Sequence, residues 1–323
     1  MSDALLPVVR AAQIQEESRE SRWLIESLWA RSGVGILGGA PKCCKSWLGL
    51  DIAVSVASST PCLGSFAVGD PGSAMIYMAE DTLSIVKARL EGICRSRGIA
   101  FAELPLDVIT APALRLDLER DQARLNDAIA RLRPRLLLLD PFVRLHRIDE
   151  NNSGDVSVLL GYLRKLQREH DVAIIVTHHA RKNGPAGTQA GQGLRGSGDL
   201  HAWGDSNLYL RRSRDLLTLT VEHRASATLE PLSLALLGDD ENVHLEVTSG
   251  APQDHGSSPG LDAAVLAALA QAPLSRTALR DAVHVRNEKL GQILTQLTHA
   301  GRVLRQGDKW ARAESAIPVP SSA

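Results

Sequence analysis

The sequence carries no excess of charge of either sign. Thirty-six lysines and arginines stand against 37 aspartates and glutamates, for a formal net charge of −1 over 323 residues. No global basic field advertises nucleic acid, so local patches must hold any such partner. Cysteine is sparse. Cys43, Cys44, Cys62 and Cys94 make no C-x-x-C pair and have no partnering histidines. That speaks against a disulfide framework or a zinc module and fits a reducing cytoplasm. Long apolar runs are missing too: nothing approaches the ~18 uncharged apolar residues of a membrane span. The first twenty residues, with Arg10, Glu16, Glu17 and Glu20, hold no secretory apolar core. There are no internal repeats. A chain 44% hydrophobic and 23% charged is ordinary for a globular protein, and its length suits one large domain and a small one.

What the chain does contain is an alternation of apolar runs and amphipathic stretches. Runs at 34–37, 74–78, 136–139 and 173–176 read as strands covered on both faces, with a further strand at 106–109. Helical spacing falls between them, over 45–58, 83–97, 121–132 and 156–170, with Thr82 and Ser153 as candidate caps. This order predicts a mostly parallel α/β sheet. Runs at 207–210, 216–221, 232–236 and 243–247, joined by short polar connections, predict an antiparallel extension. Residues 23–30 form an apolar lead-in to the first strand.

The chemistry gathers at the first strand-to-helix junction. A strand ends in Gly38 and Gly39, a tight loop follows, and Lys45 and Ser46 open a helix. That is the context a phosphate-binding loop requires. Loop N–H groups and a helix N-terminus converge on the phosphates of ATP. Lys45 would reach the β- and γ-phosphates, and the Ser46 hydroxyl would hold Mg²⁺. The candidate nucleotide-binding residues are Gly39, Ala40, Pro41, Lys42, Cys43, Cys44, Lys45, Ser46 and Trp47. Counted from Gly39, the pattern G-x-x-x-x-G-K-[ST] puts Cys44 where the second glycine belongs. A Cβ there crowds the backbone's approach to phosphate and resists positive φ. Thiols at a helix N-terminus are expected to have lowered pKa values. The bland reading is a glycine-rich turn with Lys45 as a surface charge.

Three strand ends supply partners. Asp140 closes an apolar strand roughly a hundred residues on, where a carboxylate can bind Mg²⁺ through water as the second P-loop motif does. Asp-Pro is also a common turn starter. Glu80 ends another strand, and strand C-termini share the ligand-binding edge of a doubly wound sheet. It could orient and activate the attacking water; its alternative is an acid opening a helix. His178 and His179 end the last central strand, where one can touch the γ-phosphate and report hydrolysis. Adjacent strand residues point to opposite sides, so a shared metal is not expected.

Gly39 to Ser46, Ala79 to Asp81, Leu136 to Asp140, Thr177 to His179 and Leu194 to Gly198 occur in that order. As a set these motifs resemble the RecA-like hexameric ATPases, most closely the RepA-type replicative helicases of broad-host-range plasmids. Residues 145–154 also look like that group, and the resemblance covers about residues 20–248. It implies a RecA-type P-loop NTPase core, ATP hydrolysis at subunit interfaces, a homo-oligomeric ring (a hexamer) and translocation on single-stranded DNA. By position, Lys45 and Ser46 match the phosphate and Mg²⁺ residues. Glu80 matches the catalytic glutamate, Asp140 the second-motif aspartate, and His178 and His179 the γ-phosphate sensor pair. In the related DnaB-type ring helicases, a Lys-x-Arg on a late strand reaches the neighbouring subunit's ATP. Glu222, His223 and Arg224 lie there. Arg224 is then the arginine acting in trans, although Glu222 departs from the lysine, and Arg212 or Arg195 could substitute. The glycine-rich stretch 183–198 lies where these proteins line the central channel. Arg181, Lys182 and Arg195 are its cations. It has no aromatic residue to stack on bases, so backbone electrostatics would have to suffice. The expected function is an ATP-dependent DNA motor of a plasmid or mobile element. The alternative is a non-catalytic DNA-binding or regulatory protein with a degenerate P-loop, which should have lost Glu80 first.

The domain reading is an ATPase domain at 1–250, a linker at 251–260, and a winged-helix DNA-binding domain with a disordered tail at 261–323. Val265, Leu266 and Leu269 mark a first helix there, Ser275 caps a second over 276–283, and a third runs over 287–300. A hairpin of 303–305 and 309–311 would be the wing. The third helix would read the major groove of duplex DNA, with Arg302, Arg305, Lys309 and Arg312 on phosphates. A winged helix used only for protein contacts is the alternative.

Overall fold

The computed structural model describes residue 6 and residues 8–14, 22–179, 199–213, 216–239, 242–248, 259–270 and 272–283, and, within 290–313, all but 292, 295, 296, 299–301 and 308. The expected channel loop 183–198, residues 251–258 of the linker expected at 251–260, most polar positions of the helix expected at 287–300 and the tail 314–323 lie outside the described residues. The chain divides into two units, 1–251 and 252–323.

In the first unit, β1 (Trp23–Ile25) and β2 (Trp29–Ala30) form a small antiparallel pair. Strands and helices then alternate. β3 (Val34–Gly39) leads into α1 (Lys45–Ser58), β4 (Ala74–Met78) into α2 (Leu83–Ser96), and β5 (Leu106–Val108) into α3 (Glu119–Leu132). β6 (Leu136–Asp140) leads into α4 (Ser153–His170), and β7 (Ala173–His179) completes the alternation. After α5 (Asp199–Trp203) come β8 (Ser206–Ser213), β9 (Leu216–His223), β10 (Leu232–Leu237) and β11 (His244–Val247).

These strands make one nine-stranded sheet, ordered β11-β10-β9-β8-β3-β7-β6-β4-β5. From β8 to β5 all neighbours are parallel, whereas β9, β10 and β11 attach antiparallel. The parallel core with an antiparallel extension is the architecture that the apolar pattern predicts.

Alternation along each central strand explains why both faces had to be apolar. Leu136 and Leu138 pack with α1 and α2 residues such as Leu48, Ile52 and Leu90. Leu137 and Leu139 face the other way, with Leu125 and Ile129 of α3 and Leu159 and Leu163 of α4. The helices begin largely where caps were expected. The Thr82 hydroxyl accepts from the Ile85 N–H and starts α2. At α4 the expectation needs correction: Asn152 caps, accepting the Gly154 N–H at 3.0 Å, and Ser153 is already helical. Asn152 holds the extended backbone a cap needs, and its carboxamide reaches the second helical N–H.

In the second unit, α6 (Pro259–Leu269), β12 (Leu274–Ser275), α7 (Arg276–Val283), β13 (Val303–Gln306) and β14 (Lys309–Arg312) surround a small core. Val265, Leu269, Leu279, Leu290, Ile293 and Leu294 form much of it. β14 lies between β12 and β13. Ser275 accepts from the Ala278 N–H at 3.2 Å, as an N-cap does. Among the described residues, no helix is long and apolar enough to cross a membrane.

Candidate nucleotide-binding site

The C-terminal ends of β3, β4, β6 and β7 lie side by side, because β6 sits between β4 and β7, and β7 pairs with β3. The loop between β3 and α1 therefore opens over the other three strand ends. A Cβ at Gly39 would lie 2.5 Å from the Leu210 carbonyl and 2.6 Å from the Cys43 sulfur, so only glycine fits.

Past Gly39 the loop turns through two left-handed residues, Lys42 (φ 63°) and Cys44 (φ 67°, ψ 22°). The second is the position where the loop pattern calls for glycine, and its conformation shows why. A side chain there costs about 1 kcal/mol or more. The Cys44 sulfur accepts from Arg212 Nη2 at 3.2 Å. Cys43 is buried, and burial pushes its thiol pKa up, against the lowering expected of a helix N-terminus. Desolvation outweighs the Lys45 charge beside it.

Lys45 is the first residue of α1, with only 6% of its surface exposed. Its ammonium donates to the carbonyls of Gly39 at 3.0 Å and Ala40 at 2.9 Å. Burial holds its pKa below the ordinary lysine value, while Cys43, Asp140, Glu80 and Cys44 pull it back up. A buried cation bonded to neutral carbonyls at the mouth of a loop is suited to an anion.

Next to it, Ser46 Oγ donates to Asp140 Oδ2 at 2.6 Å, and the Thr177 hydroxyl donates to the other carboxylate oxygen. Asp140 is almost fully buried, which raises its pKa, while the bonds from Ser46 and Thr177 oppose the rise. Hydroxyl and carboxylate thus meet within one hydrogen bond, as a shared Mg²⁺ requires of them. The chemistry of this donor set and the buried lysine fit ATP with Mg²⁺.

A cavity of about 310 Å³ joins these groups. Lys42, Cys43, Cys44, Lys45, Ser46, Trp47, Glu80, Asp140 and His179 line it, together with Met78, Asp81 and Arg89. Glu80 stands half exposed and accepts from Arg144 Nε at 2.8 Å. Arg89 binds Asp81 at 2.5 Å and lies 5.4 Å from the centre of the Trp47 ring. Sequence reading missed Arg144 and Arg89; the only hint was an arginine four residues after Asp140.

The two histidines part company, as strand alternation demands. His179 faces the cavity, and its pKa is lowered by burial and then by Lys45. His178 points to the other side of the sheet, 2% exposed, with Nε2 3.3 Å from Glu150 Oε2. The second Glu150 oxygen lies 3.5 Å from His146 Nε2. Burial alone would raise the Glu150 pKa, but the neighbouring His146 and His178 bring it down to about 2. Arg224 follows β9 and lies outside the cavity. It donates to the Ala202 carbonyl, and its Nη1 is 3.6 Å from Asp205 of the same chain.

One test follows from the loop geometry. Cys44→Gly should keep or raise ATP affinity, because it removes the left-handed strain and the Cβ. Equilibrium titration with ATP checks this. A loss of affinity of about tenfold, near 1.4 kcal/mol, would show that the sulfur and its bond from Arg212 assist binding.

Strand, loop, helix and facing carboxylate define a RecA-like P-loop core. A family model described as an AAA domain matches residues 2–185, and the chain belongs to that family. A solved structure titled as a DnaB-like replicative helicase and its interactions with primase is similar with a TM-score of 0.52. The two sequences are 16% identical, and the match spans 66% of this chain and 57% of that one, a likeness of fold. No curated protein matches the chain.

Proposed function

We propose that the chain is an ATP-hydrolysing DNA motor of the replicative-helicase type, working as a homo-oligomeric ring, a hexamer. The observation that carries this reading is the meeting of Lys45, Ser46 and Asp140 in one cavity with Glu80 and His179 at its rim. Lys45 and the loop N–H groups would hold the phosphates, and Ser46 and Asp140 the Mg²⁺. Glu80 is the carboxylate free to activate water once Arg144 releases it. His179, rather than His178, lies where a γ-phosphate would be sensed. The resemblance to RepA-type helicases supports a plasmid or mobile-element setting, and the four free cysteines fit a reducing cytoplasm.

Ring function is tested by mixing subunits. Arg224→Ala chains and Lys45→Ala chains, each inactive alone, should recover part of the ATPase activity when mixed. A mixed interface can then pair an intact loop with an intact arginine. A monomer on gel filtration with full activity would contradict the ring. Because Arg224 is already bound to Asp205, failure of mixing with a ring still present would move the trans role to Arg212 or Arg195.

The second unit supports a winged-helix reading through its order of helices and its β13–β14 hairpin, which carries Arg305, Lys309 and Arg312. Deleting 252–323 should lower duplex DNA affinity and flatten its salt dependence by about one unit of slope for each phosphate no longer held. ATPase activity should stay. Unchanged affinity and slope would assign the unit to protein contacts. A second functional reading, a regulatory DNA-binding protein with a decayed loop, draws on the left-handed Cys44 and on Glu222 in place of a lysine. The retained Lys45, Ser46, Asp140 and Glu80 argue against it.

A further inference from the structure

The first unit carries a second cleft, of about 640 Å³, larger than the nucleotide cavity and sharing no residue with it. Its walls are the segment between β5 and α3, the first turns of α3, and Arg147 from the segment between β6 and α4. Four guanidinium groups line it, from Arg115, Arg120, Arg124 and Arg147, against two carboxylates, Asp117 and Asp121. Four positive charges less two negative leave the cleft at +2.

The carboxylates do not cancel the four arginines evenly. Asp121 is buried and has structural work: one oxygen accepts the Arg115 backbone N–H at 2.9 Å. Its other oxygen meets Arg124 at 3.3 Å and Arg120 at 3.5 Å. The Arg115 guanidinium is aimed by a neutral group, the His146 carbonyl, to which it donates at 2.7 Å. The Leu116 N–H donates to the Leu145 carbonyl at 2.6 Å, so the two segments forming the cleft are tied together. Arg147 is exposed and has neither a hydrogen bond nor an ion pair among the described residues. Two cations, Arg115 and Arg147, therefore line the cleft with no ion pair among the described residues, although the Asp117 carboxylate shares its wall.

Guanidinium groups present planar forks of donors that match phosphate oxygens in pairs, and a cleft of net positive charge concentrates anions. We propose that this cleft binds a phosphate-bearing ligand. The phosphodiester backbone of single-stranded DNA and a free phosphorylated compound offer the same oxyanion chemistry. Arg147 and Arg115 grip the phosphate, and Arg120 and Arg124 form the rim. The site does not depend on ATP hydrolysis at the P-loop.

The test uses the full chain carrying Lys45→Ala, so that the nucleotide cavity contributes no phosphate binding. It is titrated with pyrophosphate by calorimetry and with a labelled oligothymidylate by fluorescence anisotropy at several salt concentrations. At least one probe should bind. Arg147→Glu and Arg120→Glu, both at exposed positions, should each weaken it about tenfold or more, with Arg147→Lys in between. For the oligonucleotide, the salt slope should also fall by about one in each charge reversal. Binding of the oligonucleotide alone identifies a nucleic acid backbone; binding of pyrophosphate alone identifies a free phosphorylated compound. Failure of both probes to bind, or affinities unmoved by both charge reversals, overturns the proposal.

Discussion

Lys45→Ala will bind ATP at least tenfold to a hundredfold more weakly than the wild type, whereas Glu80→Gln will bind it normally and barely turn it over. The two substitutions separate because they act on different stages. Lys45 is a buried ammonium beneath the loop, bonded to the Gly39 and Ala40 carbonyls. Exchanging those neutral acceptors for anionic phosphate oxygens adds an ion pair to each bond from the ammonium, and hydrogen bonds between charged groups are worth about 1.5–3 kcal/mol. Glu80 stands at the rim, half exposed and held by Arg144. Its removal as a base should lower turnover about 10²–10⁴-fold with little change in affinity. ATP binding and single-turnover hydrolysis, measured on the same preparations, check both halves. Equal affinity in Lys45→Ala and wild type would remove the lysine from the site.

Gly35→Ala is expected to prevent folding of the first unit. Gly35 lies in the middle of β3, and a Cβ built on it would fall 1.7 Å from the Ser206 backbone carbonyl. That carbonyl opens β8, the strand joining the parallel core to the antiparallel extension. No rotamer change relieves a clash with backbone, so β3 and β8 must separate or shift. The expected cost is about 4–5 kcal/mol or more, against a total stability of about 5–15 kcal/mol. The same substitution at Gly161, on the outside of α4 with no atom within 4 Å of the new Cβ, should stabilise by about 0.5–1 kcal/mol. Urea unfolding of the two variants decides the matter. A soluble Gly35→Ala protein with a wild-type midpoint would mean that β3 and β8 pack more loosely than described.

Much of the core was legible because its strands are sandwiched between helices. Residues 136–139 had to be apolar throughout, since Leu136 and Leu138 serve one layer and Leu137 and Leu139 the other. The P-loop was legible as a local motif, and the left-handed backbone at Cys44 is what its place in that motif implies. What escaped the sequence was whatever depends on contacts between distant segments. Nothing local says that Cys43 turns inward while Cys44 meets Arg212, 168 positions away. The Glu80–Arg144 pair spans 64 positions and exists only because β4 and β6 are neighbours. His178 read as one half of a sensor pair, yet its partner, Glu150, which also meets His146, comes from the segment between β6 and α4. Arg224 read as an arginine for a neighbouring subunit, but a cis partner at Asp205 also awaited it. The arginine cleft has no motif at all, because its members are scattered over 115–147: Asp121 holds Arg120 and Arg124, and the Leu116–Leu145 backbone bond brings the segment of Arg147 alongside.

The most direct measurement is steady-state ATP hydrolysis by the wild-type protein and by Lys45→Ala, each with and without single-stranded DNA in the presence of Mg²⁺. A DNA motor built on this cavity should hydrolyse ATP, accelerate when single-stranded DNA is added, and lose both properties in Lys45→Ala. Wild-type turnover indistinguishable from that of Lys45→Ala, with and without DNA, would contradict the account.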